Sequence, residues 1–79
     1  MKNKTRPNTE EVVNNHLGGL GIDGYVSLWR NRLYPRNYIL YVGYCRPDGT
    51  KAYRNNGSIG TTARAAIQEL NHLRGLGAI

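Results

Sequence analysis

Residues 37–46 read NYILYVGYCR, and this stretch decides the fold because it is the strongest strand candidate in the chain. Aromatic and β-branched side chains favour extended backbone, and side chains alternate between the two faces of a strand. The two sets are Tyr38, Leu40, Val42 and Tyr44 on one face and Ile39, Tyr41, Gly43 and Cys45 on the other. Both sets are apolar enough to be covered, so the sequence leaves open which set faces the core.

A turn follows this central strand. Pro47, Asp48 and Gly49 suit it, because proline fixes the first central position and aspartate can bond its own backbone. The turn predicts a hairpin with a third strand over residues 50–55. That strand is short and polar, and it is expected to end at the turn-prone residues 55–57.

A first strand is predicted on the N-terminal side, over residues 25–34, and Pro35 ends it. Its alternation groups on one face Val26, Leu28, Arg30 and Arg32. Trp29 lies within this strand and is expected to be either a core or sheet-covering anchor or a contact to a base, with the anchor favoured.

Two helices complete the pattern. Asn8 can cap the first one, with Glu11 in the capping-box position, and residues 18–19, both glycine, end it. The second helix is expected to be capped by Thr61 and stopped by Gly75. Its apolar stripe consists of Ala63, Ala66, Ile67, Leu70 and Leu73.

This order predicts an α+β domain over residues 8–79, in which a three-stranded antiparallel sheet packs on the C-terminal helix and a short N-terminal helix precedes it. Residues 1–7 are expected to form a flexible basic arm. A domain of this size buries only roughly 60% of its unfolded surface, so dimerisation or partner binding would help it. The pattern is compatible with a homodimer.

Positive charge is concentrated in residues 25–54, which hold five arginines and one lysine against one acid, among several tyrosines. The rest of the chain nearly cancels, leaving a net charge of +6 overall. Such a segment is typical of a surface that meets phosphates. The predicted nucleic-acid-binding residues are Arg30, Arg32, Arg36, Tyr41, Arg46, Lys51 and Arg54.

Residues 56–78, NGSIGTTARAAIQELNHLRGLGA, resemble the end of the plant ethylene-response-factor (Apetala-type) DNA-binding domain, which also occurs in phage homing endonucleases and integrases. Asn56 and Gly57 would match its Leu-Gly pair, Thr61 its turn threonine, and residues 65–66 its alanine pair. Residues 25–29 are similar to its first strand.

The resemblance implies that the strands enter the major groove of DNA. By position, the reading side chains would be Trp29, Arg30, Arg32 and Tyr41. The chain departs from the family at the start of the last helix, where Thr62 and Arg64 replace acidic residues, and in a longer connection between the second and third strands.

The order helix, three strands, helix is also similar to the double-stranded RNA-binding domain. That resemblance accounts for the N-terminal helix. The lysine cluster of that family would fall at residues 61–64, where only Arg64 is basic, and its Gly-Pro-x-His loop is missing. Duplex DNA is therefore favoured over duplex RNA.

Enzymatic activity is not predicted, because His16, His72 and Cys45 are scattered and the five acids form no pair suited to acid–base chemistry. No catalytic residue, metal or cofactor is expected. A single cysteine permits no intramolecular disulfide, which indicates a reducing, intracellular setting. No apolar run approaches the roughly 20 residues of a membrane span.

Together these features predict a small regulator or accessory factor of a phage or mobile element that binds duplex DNA in the cytoplasm, which would be the host cytoplasm for a phage protein. Two alternatives stay open. One is a double-stranded RNA-binding domain. The other is an inhibitor that binds and blocks a host protein, for which the edge of the third strand could recruit the partner by strand addition.

Overall fold

The computed structural model of the chain describes the backbone of residues 7–79 and the side chains of residues 9–79. The elements are α1 (Pro7–Gly19), β1 (Gly24–Arg30), β2 (Asn37–Cys45), β3 (Lys51–Gly60) and α2 (Ala63–Gly75). The strands form one antiparallel sheet in the order β1-β2-β3, which confirms the predicted α+β class and its helices. In the part of the chain described, no helix is long and apolar enough to cross a membrane.

The core lies on one face of the sheet, and β2 is its centre because it alone pairs with a strand on each side. Val26 and Leu28 of β1 lie opposite Val42 and Leu40 of β2. The buried strand residues are Val26, Leu28, Tyr38, Leu40, Val42, Tyr44, Ala52 and Ile59. The set that begins with Tyr38 therefore faces the core, which settles the choice that the alternation of β2 left open.

Both helices cover this same face. Val13 and Leu17 of α1 and Ala66 and Leu70 of α2 are fully buried in the cluster formed with the strands. α1 packs on β1, α2 packs on β3, and the helices touch each other. Since neither helix crosses to the other side, no element among residues 7–79 covers the second face of the sheet.

Side chains of α1 bind the outer edge of β1. The Val26 amide donates to Asn14 Oδ1 at 2.7 Å, and Asn14 Nδ2 donates to the Val26 carbonyl oxygen at 2.9 Å. Two residues further along β1, the Leu28 amide donates to Glu10 Oε2 at 2.8 Å. Backbone groups at a strand edge are templates for pairing with another chain. These bonds occupy that edge.

The C-terminal tail closes the core at the far end. After α2, Gly77 adopts a left-handed φ of 74°, and the Ala78 amide donates back to the Leu73 carbonyl oxygen at 2.9 Å. This reversal brings Ala78 over the sheet, where its carbonyl oxygen accepts from Tyr44 Oη at 2.6 Å. Ile79 is buried beside it. Helix α2 does end at Gly75 as predicted, but Gly77 is the glycine that makes the turn.

The hairpin between β2 and β3 forms as predicted. The Gly49 amide donates to the Arg46 carbonyl oxygen at 2.9 Å, and Gly49 has a φ of 89°. Asp48 Oδ1 accepts from the Thr50 amide at 2.9 Å, which is the local aspartate bond expected in such a turn.

β1 ends at Arg30, so the prediction of a strand reaching Tyr34 is wrong. Asn31 is the reason, because its Oδ1 accepts from the Leu33 amide at 2.9 Å and from the Tyr34 amide at 3.1 Å. Local side-chain bonds of this kind compete with a strand ladder. Arg32 therefore lies in the β1–β2 loop.

β3 continues to Gly60, so the predicted end at Asn55 is also wrong. Leu40 pairs with Asn56 whereas Tyr38 pairs with Ile59, so two residues of β3 oppose one of β2. The Ser58 amide donates to Asn56 Oδ1 at 2.9 Å within this bulge. The turn-prone residues thus form a β-bulge inside the strand and do not terminate it.

The helix starts differ slightly from the predictions. α1 begins at Pro7, so Asn8 lies inside it, and the side chain of Asn8 is outside the described residues, as are residues 1–6 of the predicted basic arm. α2 is capped by Thr62, whose Oγ1 accepts from the Ala65 amide at 3.1 Å, and not by Thr61. The predicted apolar stripe does face the core, with Ala66 and Leu70 buried.

We expect Gly24→Ala to destabilise the fold. A Cβ at Gly24 would clash with the Gly43 carbonyl oxygen and lie 2.9 Å from Tyr44 Cα, and backbone cannot move aside as a side chain can. Overpacking of this kind should lower the free energy of unfolding by about 2 kcal/mol in a urea titration. Gly18→Ala is the matched control, because its Cβ meets nothing within 4 Å and alanine favours the helix by about 0.5 kcal/mol. Equal stability of the two variants would contradict this packing.

Candidate functional site

The uncovered side of the sheet, which we call the open face, carries four aromatic rings. Its side chains are Tyr25, Ser27 and Trp29 from β1, Ile39, Tyr41 and Cys45 with Gly43 from β2, and Lys51, Tyr53 and Asn55 from β3. The exposed fractions are 66% for Tyr53, 52% for Tyr25 and 39% for both Trp29 and Tyr41. Scattered exposed apolar residues are ordinary, but a contiguous patch marks an interaction site.

Gly43 allows the ring of Tyr25 to lie across β2. Tyr25, Gly43 and Tyr53 are consecutive partners across the three strands. A Cβ at Gly43 would lie 2.6 Å from Tyr25 Cε1 and 2.8 Å from its Cζ, so any larger residue would displace the ring. The glycine in the central strand is therefore covered by an aromatic ring from the neighbouring strand.

The phenols of Tyr25 and Tyr53 interact. Hydrogen bonding with Tyr53 raises the pKa of the Tyr25 phenol above its ordinary value, and partial burial adds to the effect. Both rings are neutral at physiological pH, as tyrosine ordinarily is. The pair forms an uncharged aromatic span across the sheet.

Trp29 is held along its own strand. Its Nε1 donates to Ser27 Oγ at 2.8 Å, two residues away on the same face. The indole therefore has its polar group satisfied by the protein while its ring stays partly exposed. The orientation of this ring is set before any partner arrives.

The rings border a shallow concavity of about 680 Å³ on the open face. Ile39 lies between the aromatic side chains, and the β1–β2 loop forms one wall through Asn31, Arg32 and Leu33. The surface is mostly apolar, with two basic residues, Arg30 and Arg32, at its margin. Such a shape suits flat, partly apolar chemical groups.

Basic residues lie at both ends of the open face. Arg32 and Arg36 are in the β1–β2 loop at one end, and Arg46 and Lys51 flank the β2–β3 turn at the other. β2 has nine residues, so the two ends lie about 26 Å apart. Among the described residues, neither Arg32 nor Arg36 forms an ion pair. Hydrogen bonds with Thr50 lower the pKa of Asp48, and the neighbouring Arg46 adds a smaller contribution in the same direction.

Two predicted site residues face the helix layer. Arg54 Nε donates to the Ala78 carbonyl oxygen at 3.2 Å, which ties it to the C-terminal tail. Arg30 borders the concavity, but its guanidinium lies 5.7 Å from the ring centre of the buried Tyr38 and donates to the Pro35 carbonyl oxygen at 2.7 Å. Both arginines have protein partners. The structure thus divides the predicted set, leaving only Tyr41 and Lys51 on the open face itself.

Sequence reasoning missed most of the open face. It singled out Tyr41 but not Tyr25, Tyr53 or Ile39, and it favoured Trp29 as a core or sheet-covering anchor. The alternation of β2 contained the signal for the open face, because it places Tyr41 and Gly43 on the same side of the strand. The residues that pair with them on β1 and β3 complete that face. Counting charges along the chain obscured it.

In the described part of the chain, no group of three or more His, Cys, Asp and Glu side chains could hold a metal ion. Comparison with protein-family models finds no matching family, and comparisons with curated proteins and with solved structures find no match either. The resemblances to the Apetala-type and double-stranded RNA-binding domains therefore stay predictions.

We expect Tyr53→Phe to lower the pKa of Tyr25 toward its ordinary value of about 10, because the bond that favours the neutral phenol is lost. The measurement is a pH titration of the tyrosine ¹³Cζ resonances by NMR. Tyr34→Phe removes a hydroxyl from an exposed ring in the β1–β2 loop and serves as the control. An unchanged Tyr25 pKa in Tyr53→Phe would show that the two hydroxyls are not bonded.

Proposed function

We propose that this protein binds nucleic acid through the open face of its sheet. The observation that carries the proposal is the combination of exposed aromatic rings in the middle of the face with unpaired basic residues at its end. Aromatic rings supply contact area for bases and sugars, and arginine and lysine supply charge for phosphates. None of the residues that form the open face is acidic.

The electrostatics support a polyanionic partner. The chain has a net charge of +6, and Arg32, Arg36, Arg46 and Lys51 are exposed around the open face. Their spacing along β2 would let one strand of phosphates meet both ends. Each phosphate that a cation neutralises releases counterions, so affinity should fall steeply as salt rises.

Duplex DNA is the polymer that the sequence favours, in a regulator or accessory factor of a phage or mobile element. The prediction of duplex DNA is compatible with the proposal, because the proposed phosphate contacts could be made by a duplex or by a single strand. Parallel titrations with duplex DNA, duplex RNA and single strands distinguish the polymers.

A protein partner is the second candidate, and one observation favours it. Among the described residues, the outer edge of β3 pairs with no strand, whereas that of β1 is occupied by Asn14 and Glu10. The bulge at residues 57–58 and the basic Lys51 and Arg54 oppose strand addition there. Nucleic acid therefore ranks first. A protein complex of this kind would persist at high salt.

We expect the double variant Arg32→Ala, Arg36→Ala to bind nucleic acid more weakly and with a smaller salt dependence. Losing two phosphate contacts should reduce the slope of log affinity against log salt by roughly 1.5 to 2. Fluorescence anisotropy with a labelled oligonucleotide at several salt concentrations measures both quantities.

The control is Arg64→Ala, which removes an exposed positive charge from α2 in the layer opposite the open face. Its salt slope should equal that of the unaltered protein. If the double variant and the control had the same slope as the unaltered protein, the loop arginines would not be phosphate contacts and this placement of the interface would be wrong.

A further inference from the structure

We infer that the open face binds single-stranded nucleic acid by stacking unpaired bases on its aromatic rings. This inference rests on the proposed function and specifies the form of nucleic acid. It departs from the duplex that the charge pattern of the sequence favours, and three features of the open face support it.

The first feature is the kind of surface that is offered. In a duplex the flat faces of the bases are stacked inside, and only base edges and phosphates are accessible. In an unpaired strand the base faces are free to stack on aromatic side chains. Tyr25, Trp29, Tyr41 and Tyr53 present rings, which match base faces and not base edges.

The second feature is that two arginines already have protein partners. Direct reading of a duplex relies mainly on forked donors such as arginine at the guanine edge. Arg30, which borders the concavity, is bonded to the Pro35 carbonyl oxygen, and Arg54 is bonded to that of Ala78. The open face itself carries one charged side chain, Lys51, and one amide, Asn55. It is poorly equipped to read base edges.

The third feature is that the rings are fixed in advance. Trp29 is bonded to Ser27, and the ring of Tyr25 lies over Gly43. Side chains that are already ordered lose less entropy on binding. Stacking uses the flat face of the base, which DNA and RNA single strands share. The face should therefore accept DNA and RNA single strands alike.

Charge complementarity fits a strand that runs along the face. A length of about 26 Å with basic residues at both ends accommodates a segment at the small end of the roughly 4–16 nucleotides bound by single-strand modules. Phosphates would meet Arg32 and Arg36 at one end and Lys51 at the other, while the bases between them lie on the rings.

Trp29 makes the test direct, because it is the only tryptophan in the chain and lies on the open face. The full chain is titrated with a mixed-sequence DNA strand of about 12 nucleotides, its RNA counterpart, the DNA duplex of the same sequence, and an abasic strand of equal length. Anisotropy of the labelled oligonucleotide reports binding anywhere. Trp29 fluorescence reports binding at the open face.

The inference predicts that both single strands bind, that they quench Trp29, and that the duplex and the abasic strand bind at least about tenfold more weakly. Duplex binding as tight as single-strand binding would overturn the inference and leave the proposed function standing. Equal binding of the abasic strand would overturn base stacking. Binding without any change in Trp29 fluorescence would overturn the location, and no binding of any probe would overturn the proposed function itself.

Matched variants test the rings one at a time. Tyr53→Ala and Tyr41→Ala should each weaken single-strand binding roughly tenfold, whereas Tyr34→Ala removes an exposed tyrosine outside the open face and should bind as before. Gly43→Ala removes no ring and should keep the fold, since its Cβ meets only the movable end of Tyr25. It should weaken binding several-fold by displacing that ring. Unaltered affinity in all three open-face variants, with folding confirmed by circular dichroism, would overturn the inference.

Discussion

The burial of one face of β2 is the constraint on which the rest of the structure depends. Among the described strands, β2 is the only one with two partners, and the row from Tyr38 to Tyr44 lines the core. Two 13-residue helices cover that row. Because both helices pack on the same side, the other face of the sheet stays exposed in the described part of the chain. The open face is a consequence of this one-sided packing and of side-chain alternation together.

The elements that close the core also bond polar groups of the backbone. α1 supplies Val13 and Leu17 to the core and also uses Asn14 to bond both backbone groups of Val26 at the edge of β1. The tail after α2 brings Ile79 into the core, and its Ala78 carbonyl oxygen accepts from Tyr44 and Arg54. Each element thus both packs and satisfies polar groups. The exposed chemistry that remains is the open face and the outer edge of β3.

Much of the fold could be predicted from the sequence because the two-residue alternation of β2 and the helical period of α2 are regular. The alternation of β2, the Pro47-Asp48-Gly49 turn and the apolar stripe of α2 are local signals, and each led to the observed element. The ends of β1 and β3 could not be found this way. β1 ends early because the side chain of Asn31 forms a turn. In β3, even-numbered residues such as Ala52 and Asn56 lie on the core side, but the bulge at residues 57–58 adds one residue, so that the odd-numbered Ile59 faces the core. The candidate site was harder still, because its residues come from three strands and share no local pattern.

The fold distributes the basic residues differently from their order along the chain. Arg30 follows Leu28, and Arg54 follows Ala52, in rows of side chains that face the core. Both arginines sit where those rows leave the buried region, so their stems cover apolar groups while their guanidinium groups bond backbone oxygens at the margin. Arg32, Arg36 and Arg46 lie in the loops that flank β2, and Lys51 begins β3. A basic segment in the sequence thus becomes a basic rim around an aromatic centre. Charge acts over longer distances, whereas the rings act only on contact. For the polyanionic partner that we propose, the rim would supply the long-range attraction and the flat rings would supply the contact surface.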